Sequence, residues 1–184
     1  MLKLDLYRAA DIELISNEPL SVIQLSLLAN EIRDNMVSYR PEFANLIKLH
    51  RNAGCRVNEL FEPERWNSKS TSMLQVQPQK HNAMRLLQYV DIGYTDSRDF
   101  EATHMDMSRL PKRQYERMFS IIVRDMNLWR LYKDGFARPS THFFRHVKIK
   151  ELYNQGQQKE FIASWIGEKK VENLDYYLNS TYFV

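Results

Sequence analysis

The chain is short of the residues that build disulfide-stapled or metal-centred domains, with one cysteine, five histidines, five glycines and six prolines in 184 residues. A single cysteine, Cys55, can form neither an internal disulfide nor a thiolate zinc site, and the histidines fall at no ligand spacing. Neither a secreted disulfide scaffold nor a metal site is therefore expected. No long apolar run occurs, and no charged leader followed by apolar and small residues. No membrane span or signal peptide is expected, and a cytoplasmic, intracellular location is the default. Gly-rich phosphate loops, Walker motifs and dinucleotide fingerprints are missing as well, so no nucleotide and no cofactor is expected. There is no internal repeat or low-complexity tract.

What is there suits one globular, largely helical domain: 43% hydrophobic and 27% charged residues. The net charge of +3 is too small to argue for nucleic acid by itself. Its distribution says more. Between Lys133 and Lys170 lie Arg138, Arg145, Lys148, Lys150, Lys159 and Lys169 against few acids, while residues 91–106 are mostly acidic. A locally basic face is the footprint of phosphate binding, although a solvated helix face looks the same.

Apolar spacing divides the chain. Residues 1–19 read as an N-terminal segment or the end of a linker, and residues 20–184 as the domain. Val22, Leu25, Leu28, Ile32 and Met36 recur at helical spacing behind a candidate cap, Ser21. A second helix starts at Pro41, carries Phe43, Leu46, Ile47 and His50 on one side, and stops before Gly54. Arg56 opens a short helix with Glu59 one turn on, which in isolation reads as a surface ion pair. Residues 71–90 alternate with period two and imply two short strands around a turn, PQKHN, that places Lys80 and His81 at its tip. Residues 91–109 read as polar and turn-like. A long helix is expected from Pro111 to Gly135, with Tyr115, Met118, Phe119, Ile122, Met126 and Trp129 as its buried stripe.

The last quarter carries the chemistry. Ser140 reads as an N-cap and Gly156 as a helix stop, so His142, Arg145 and His146 share a helix face near an N-terminus that presents unpaired N–H groups to anions. QKEFIASWIG makes another short helix ended by Gly167. VENLDYYLNS makes a last one, with Val171, Leu174 and Leu178 inward and Tyr176 and Tyr177 beside them; Trp165 is expected in the core.

In order and spacing, AGCRVNEL (Arg56, Glu59), PQKHN (Lys80), HFFRH (His142, Arg145, His146), Gly156 eleven residues after that arginine, the Ile166-Gly167 pair and Tyr177 resemble the catalytic domain of the tyrosine recombinases, or phage integrases. The likeness runs from about Leu20 to Tyr177. It implies an α+β, mainly helical fold with a small antiparallel β-sheet. It also implies a site-specific recombinase that cuts and rejoins double-stranded DNA without metal or cofactor. By this resemblance Tyr177 is the nucleophile, with Tyr176 as the fallback, and forms a 3′-phosphotyrosyl link. Arg56 and Arg145 hold non-bridging oxygens, and Glu59 positions Arg56. Lys80 protonates the 5′-oxygen, and His142 or His146 takes the phenolic proton. Four protomers on two DNA sites are implied, with the C-terminal tail on a neighbour, as is a separate N-terminal DNA-clamping domain that this chain is expected to lack.

The charge requirement makes physical sense. Attack on a phosphodiester adds negative charge at a five-coordinate phosphorus, and each preorganised donor aimed at such charge contributes about 10²- to 10³-fold in rate. One position departs from the pattern: Glu168 stands where the family has His or Trp, and an ionised glutamate repels a phosphate. It is expected to turn away, to be protonated by the site, or to leave the protein cutting slowly or only inside an assembly. The alternatives are a regulatory DNA-binding module that keeps the fold without turnover, and a related phosphotyrosyl enzyme such as a type IB topoisomerase or telomere resolvase.

Overall fold

Ser21 opens the first helix by a reciprocal cap: its Oγ accepts from the Gln24 N–H at 3.2 Å while Gln24 Oε1 accepts from the Ser21 N–H at 2.8 Å. In the computed structural model, which describes residues 20–79, 83–126 and 140–179, this helix, α1, spans Val22–Tyr39 and buries Leu25, Leu28, Ala29, Ile32 and Met36. Residues 1–19 lie outside the described residues. A 3₁₀ turn, Pro41–Phe43, leads into α2 (Ala44–Ala53), which ends at Gly54 in the left-handed conformation with φ +64°. Leu46, Ile47 and His50 face inward as their spacing predicts.

Three features differ from the sequence reading. Trp66–Ser68 forms an additional strand, β1, paired antiparallel with β2 (Met73–Val76), which pairs antiparallel with β3 (Arg85–Gln88). The sheet order is β1-β2-β3, with Trp66 opposite Val76 and Leu74 opposite Leu87. Residues 97–109, expected to be turn-like, form the helix α3 (Ser97–Arg109), because Asp96 caps it by accepting from the N–H groups of Arg98 and Asp99, both at 3.0 Å. The helix from Pro111, α4 (Lys112–Asp125), ends short of Gly135, with the Met126 N–H closing the last turn on the Ile122 carbonyl. Trp129 and the rest of that expected helix lie outside the described residues.

Among the described residues the remaining α-helices are α5 (Phe143–Asn154), α6 (Lys159–Ile166) and α7 (Asn173–Asn179). α5 runs through the centre, packed by α1, α2, α6 and α7, and buries Phe143, Phe144, Val147, Ile149 and Leu152 on several sides. Arg51 on α2 ties this bundle together through a bidentate pair with Glu151 on α5 at 2.7 and 3.0 Å, while Ser26 of α1 donates to the same carboxylate. Burial works to raise the Glu151 pKa, but its hydrogen bonds and charge pairing with Arg51 outweigh that and hold it below the usual range. The architecture is thus mainly helical with a small three-stranded antiparallel sheet.

Candidate functional site

The end of α2, the turn after it, the start of α5, the turn after α6 and helix α7 converge on Arg145. This guanidinium is fully buried. Its Nη1 donates to the carbonyls of Gly54 (3.2 Å) and Ile166 (3.1 Å), its Nη2 to Glu168 Oε1 (2.9 Å) and its Nε to the Tyr177 hydroxyl (3.3 Å). A buried cation persists only where its donors are matched in this way. Helix stops made by Gly54 and Gly167 bring two of those carbonyls within reach.

Arg56 caps the 3₁₀ turn Val57–Phe61, with its main-chain N–H held by Glu59 Oε2 at 3.1 Å. Its Nη2 reaches Glu168 Oε1 at 2.9 Å, so one carboxylate oxygen sits between two guanidiniums. The side chain of Glu168 is therefore turned into the site, against the expectation that it turns away. Burial would raise its pKa, but hydrogen bonding from Asn173 and the charges of Arg145 and Arg56 overcome this and hold it below the usual carboxylate range. It is ionised at neutral pH, against the expectation that the site protonates it.

His142 is the residue before α5 rather than one inside it, and Ser140 lies in the preceding turn, where its Oγ accepts from the His142 N–H at 3.3 Å. The His142 Nε2 lies 3.1 Å from the Tyr177 hydroxyl, and the His146 ring packs on Tyr177 with centroids 4.6 Å apart. Burial, then the charges of Arg145 and Arg56, push His142 down to about 4, and burial foremost pushes His146 down to about 3. Both imidazoles are neutral at pH 7, and a neutral Nε2 beside a phenol can accept its proton. Tyr177 is 6% exposed and faces this cluster, whereas Tyr176 is 69% exposed, which separates the two candidates geometrically.

Arg56, Glu59, His142, Arg145, His146, Glu168 and Tyr177 thus come together from stretches as far apart as residues 56 and 177. Lys80 and His81 lie outside the described residues. Two contributors went unseen in the sequence. Arg85, inward-facing on β3, donates to Glu59 Oε2 at 2.5 Å and is as buried as its partner. Its signal was its register: it shares the buried face of the strand with Leu87, where a charge requires a partner. Asn173, one turn before Tyr177 on α7, donates to Glu168 Oε2 at 3.3 Å. The Ala83 N–H also bonds the Gly167 carbonyl at 2.9 Å, which docks the return of the hairpin beside Glu168.

Among the described residues no group of three or more His, Cys, Asp or Glu is arranged to hold a metal ion, and no helix is long and apolar enough to cross a membrane. The expected basic face is thinner than the sequence suggested: Arg145 is interior, Lys148 and Lys150 are partly covered, and Lys159 pairs with Asp175 at 2.8 Å. Lys169 and Lys170 stay exposed, Lys133 and Arg138 lie outside the described residues, and Lys112 and Arg113 add two exposed cations at the start of α4.

No protein-family model matches the chain, and no curated protein sequence does. Solved structures do match it. One of them, a crystal structure of XerA recombinase, aligns with a TM-score of 0.53 and 17% identity over 81% of this chain and 57% of that one. The chain therefore spans little more than half the length of that structure, and the likeness is one of fold.

Proposed function

We propose that this domain cuts and rejoins double-stranded DNA as a tyrosine-type site-specific recombinase, with Tyr177 as nucleophile. The observation that carries the reading is the Tyr177 hydroxyl, held between the neutral His142 Nε2 at 3.1 Å and the Arg145 Nε at 3.3 Å, with Arg56 joined to the same cluster through Glu168. The Tyr177 oxygen attacks the phosphorus and passes its proton to His142. The bond from phosphorus to the 5′-oxygen breaks, and that oxygen takes a proton from Lys80, whose role rests on the resemblance alone. A 5′-hydroxyl from a second strand then attacks the 3′-phosphotyrosyl link and releases Tyr177, so strands exchange with no external energy source. Arg56 and Arg145 stabilise the charge gained at phosphorus. Glu59 holds Arg56 by its main-chain N–H, and His146 packs the phenol in place. Four protomers on two DNA sites belong to the same proposal.

A second reading, a DNA-binding module without turnover, is favoured by one observation: Glu168 fills the space between the two arginines. Covalent capture on nicked suicide duplexes with randomised flanks decides between them. DNA retained through denaturing purification by the wild type and absent from Tyr177→Phe is the expected result. Retention in Tyr177→Phe moves the nucleophile to Tyr176. Salt-sensitive binding with no capture favours the silent module.

A further inference from the structure

The arginine pair that the proposed function assigns to the scissile phosphate already has a ligand, and that ligand is part of the chain. Oε1 of Glu168 accepts from Arg56 Nη2 and Arg145 Nη2, each at 2.9 Å. One anionic oxygen bridging two guanidiniums is the arrangement a non-bridging phosphate oxygen adopts when two arginines grip it. The same Arg145 also holds the Tyr177 hydroxyl through Nε, so an anion seated on its Nη2 lies on the side of the nucleophile.

We propose that Glu168 is an internal stand-in for the substrate phosphate, a carboxylate plug that the incoming phosphodiester must displace. This rests on the reading of Arg56 and Arg145 as a phosphate cradle. Its physical basis is the burial of Arg145: a guanidinium with no exposed surface needs an anion in the DNA-free protein, and Glu168 is the carboxylate that pairs with it. Binding is then an exchange of one anion for another, which stabilises the empty protein and weakens its grip on any phosphate.

The plug is also wired to the nucleophile. Its second oxygen accepts from Asn173, which stands four residues before Tyr177 on the same face of α7. Glu168 itself sits on the turn between α6 and α7, so a phosphate that expels the carboxylate removes a tether from the helix that carries the phenol. Occupancy of the cradle and the freedom of α7 are thereby linked.

Binding of inorganic phosphate, followed by calorimetry at pH 7 alongside the phosphate-induced rise in melting temperature, tests the plug. Glu168→Gln keeps the shape and removes the charge; it should bind phosphate at least about ten-fold more tightly than the wild type, about 1.4 kcal/mol. Asn173→Ala leaves every charge in place and frees only the tether, and should give a smaller gain in the same direction. It keeps the proposal open to refutation if Glu168→Gln does not fold. Equal or weaker phosphate binding in a folded Glu168→Gln overturns the plug, as does an unchanged Asn173→Ala where that variant alone is folded. Suicide-duplex capture run in parallel separates this from the functional reading. Tighter phosphate binding with no capture by any variant leaves the plug standing and sinks the recombinase. Capture by the wild type with unchanged phosphate binding in Glu168→Gln does the reverse.

Discussion

Burial lowers the basicity of three histidines in this protein, and His50 is the most deeply enclosed of them. It lies fully inside α2, hydrogen-bonded through Nδ1 to the Tyr115 hydroxyl at 2.7 Å and edge-on to Phe144. Burial first, then the charge of His142, lowers it from 6.5 to about 3. The sign of the consequence follows directly. Below pH 6.5 the unfolded chain takes up a proton that the folded chain refuses, so stability falls as pH drops, by about 1.4 kcal/mol per pH unit for such a group. The loss sets in near 6.5 and continues toward 3. Between pH 7 and pH 5, urea denaturation should show the wild type losing about 2 kcal/mol more than His50→Gln, which has no such proton to refuse. His142 and His146 stay in both proteins and cancel in the comparison. Parallel losses in the two proteins would mean that His50 does not carry this penalty.

Helix ends set the positions from which the site is built, and they differ in how tightly they are constrained. Gly54 and Gly156 both adopt positive φ, at +64° and +84°. A Cβ on Gly54 would stand 2.8 Å from Lys148 Cβ, near the α5 backbone, whereas one on Gly156 meets nothing within 4 Å. Gly156→Ala should therefore cost only the left-handed penalty, about 1–2 kcal/mol. Gly54→Ala adds a clash and shifts a carbonyl that Arg145 uses, so it should cost clearly more and also lower DNA capture. Thermal melts of the two variants check the order; equal losses would show that α5 gives way freely. These stops were legible because glycine behind an apolar period has a simple meaning, and the meeting of His142, Arg145 and Tyr177 was legible only through the resemblance of their motifs to a known family. α3 was not: it buries Thr103 and Asp106 beside Phe100 and Met107 while Met105 faces solvent, so its inward face carries little apolar signal. Asp106 is inward because Asn45 of α2 donates to it at 3.0 Å, a pairing across the fold that no local pattern shows. The direction of Glu168 was hidden for a related reason. Repulsion by a phosphate argued for turning it out, while attraction by two arginines from distant stretches turns it in.

At the scale of the whole molecule, a net charge of +3 cannot steer a long polyanion, so on the proposed reading the placement of exposed cations decides how DNA is met. Lys112 and Arg113 stand exposed at the start of α4, and Lys112 Nζ bonds Asn58 Oδ1 at 2.8 Å, two residues from Arg56. Lys112 is thus tied to the 3₁₀ turn that Arg56 opens, and on the proposed reading a duplex whose phosphate reaches Arg56 passes over this end of α4. Each phosphate contact made by a cation adds about 0.9 to the steepness with which DNA affinity falls with salt. Replacing both Lys112 and Arg113 by Ala should weaken binding to all sequences alike and flatten that dependence by about 2. Lys159→Ala should leave the slope unchanged, because Lys159 is spent on Asp175 on the outside of α6 and α7. Fluorescence anisotropy across a salt series reads both. A slope unchanged in the Lys112/Arg113 variant but flattened by Lys159→Ala would place the duplex on the α6–α7 side, and the approach to Arg56 would then run past Lys169 and Lys170 instead.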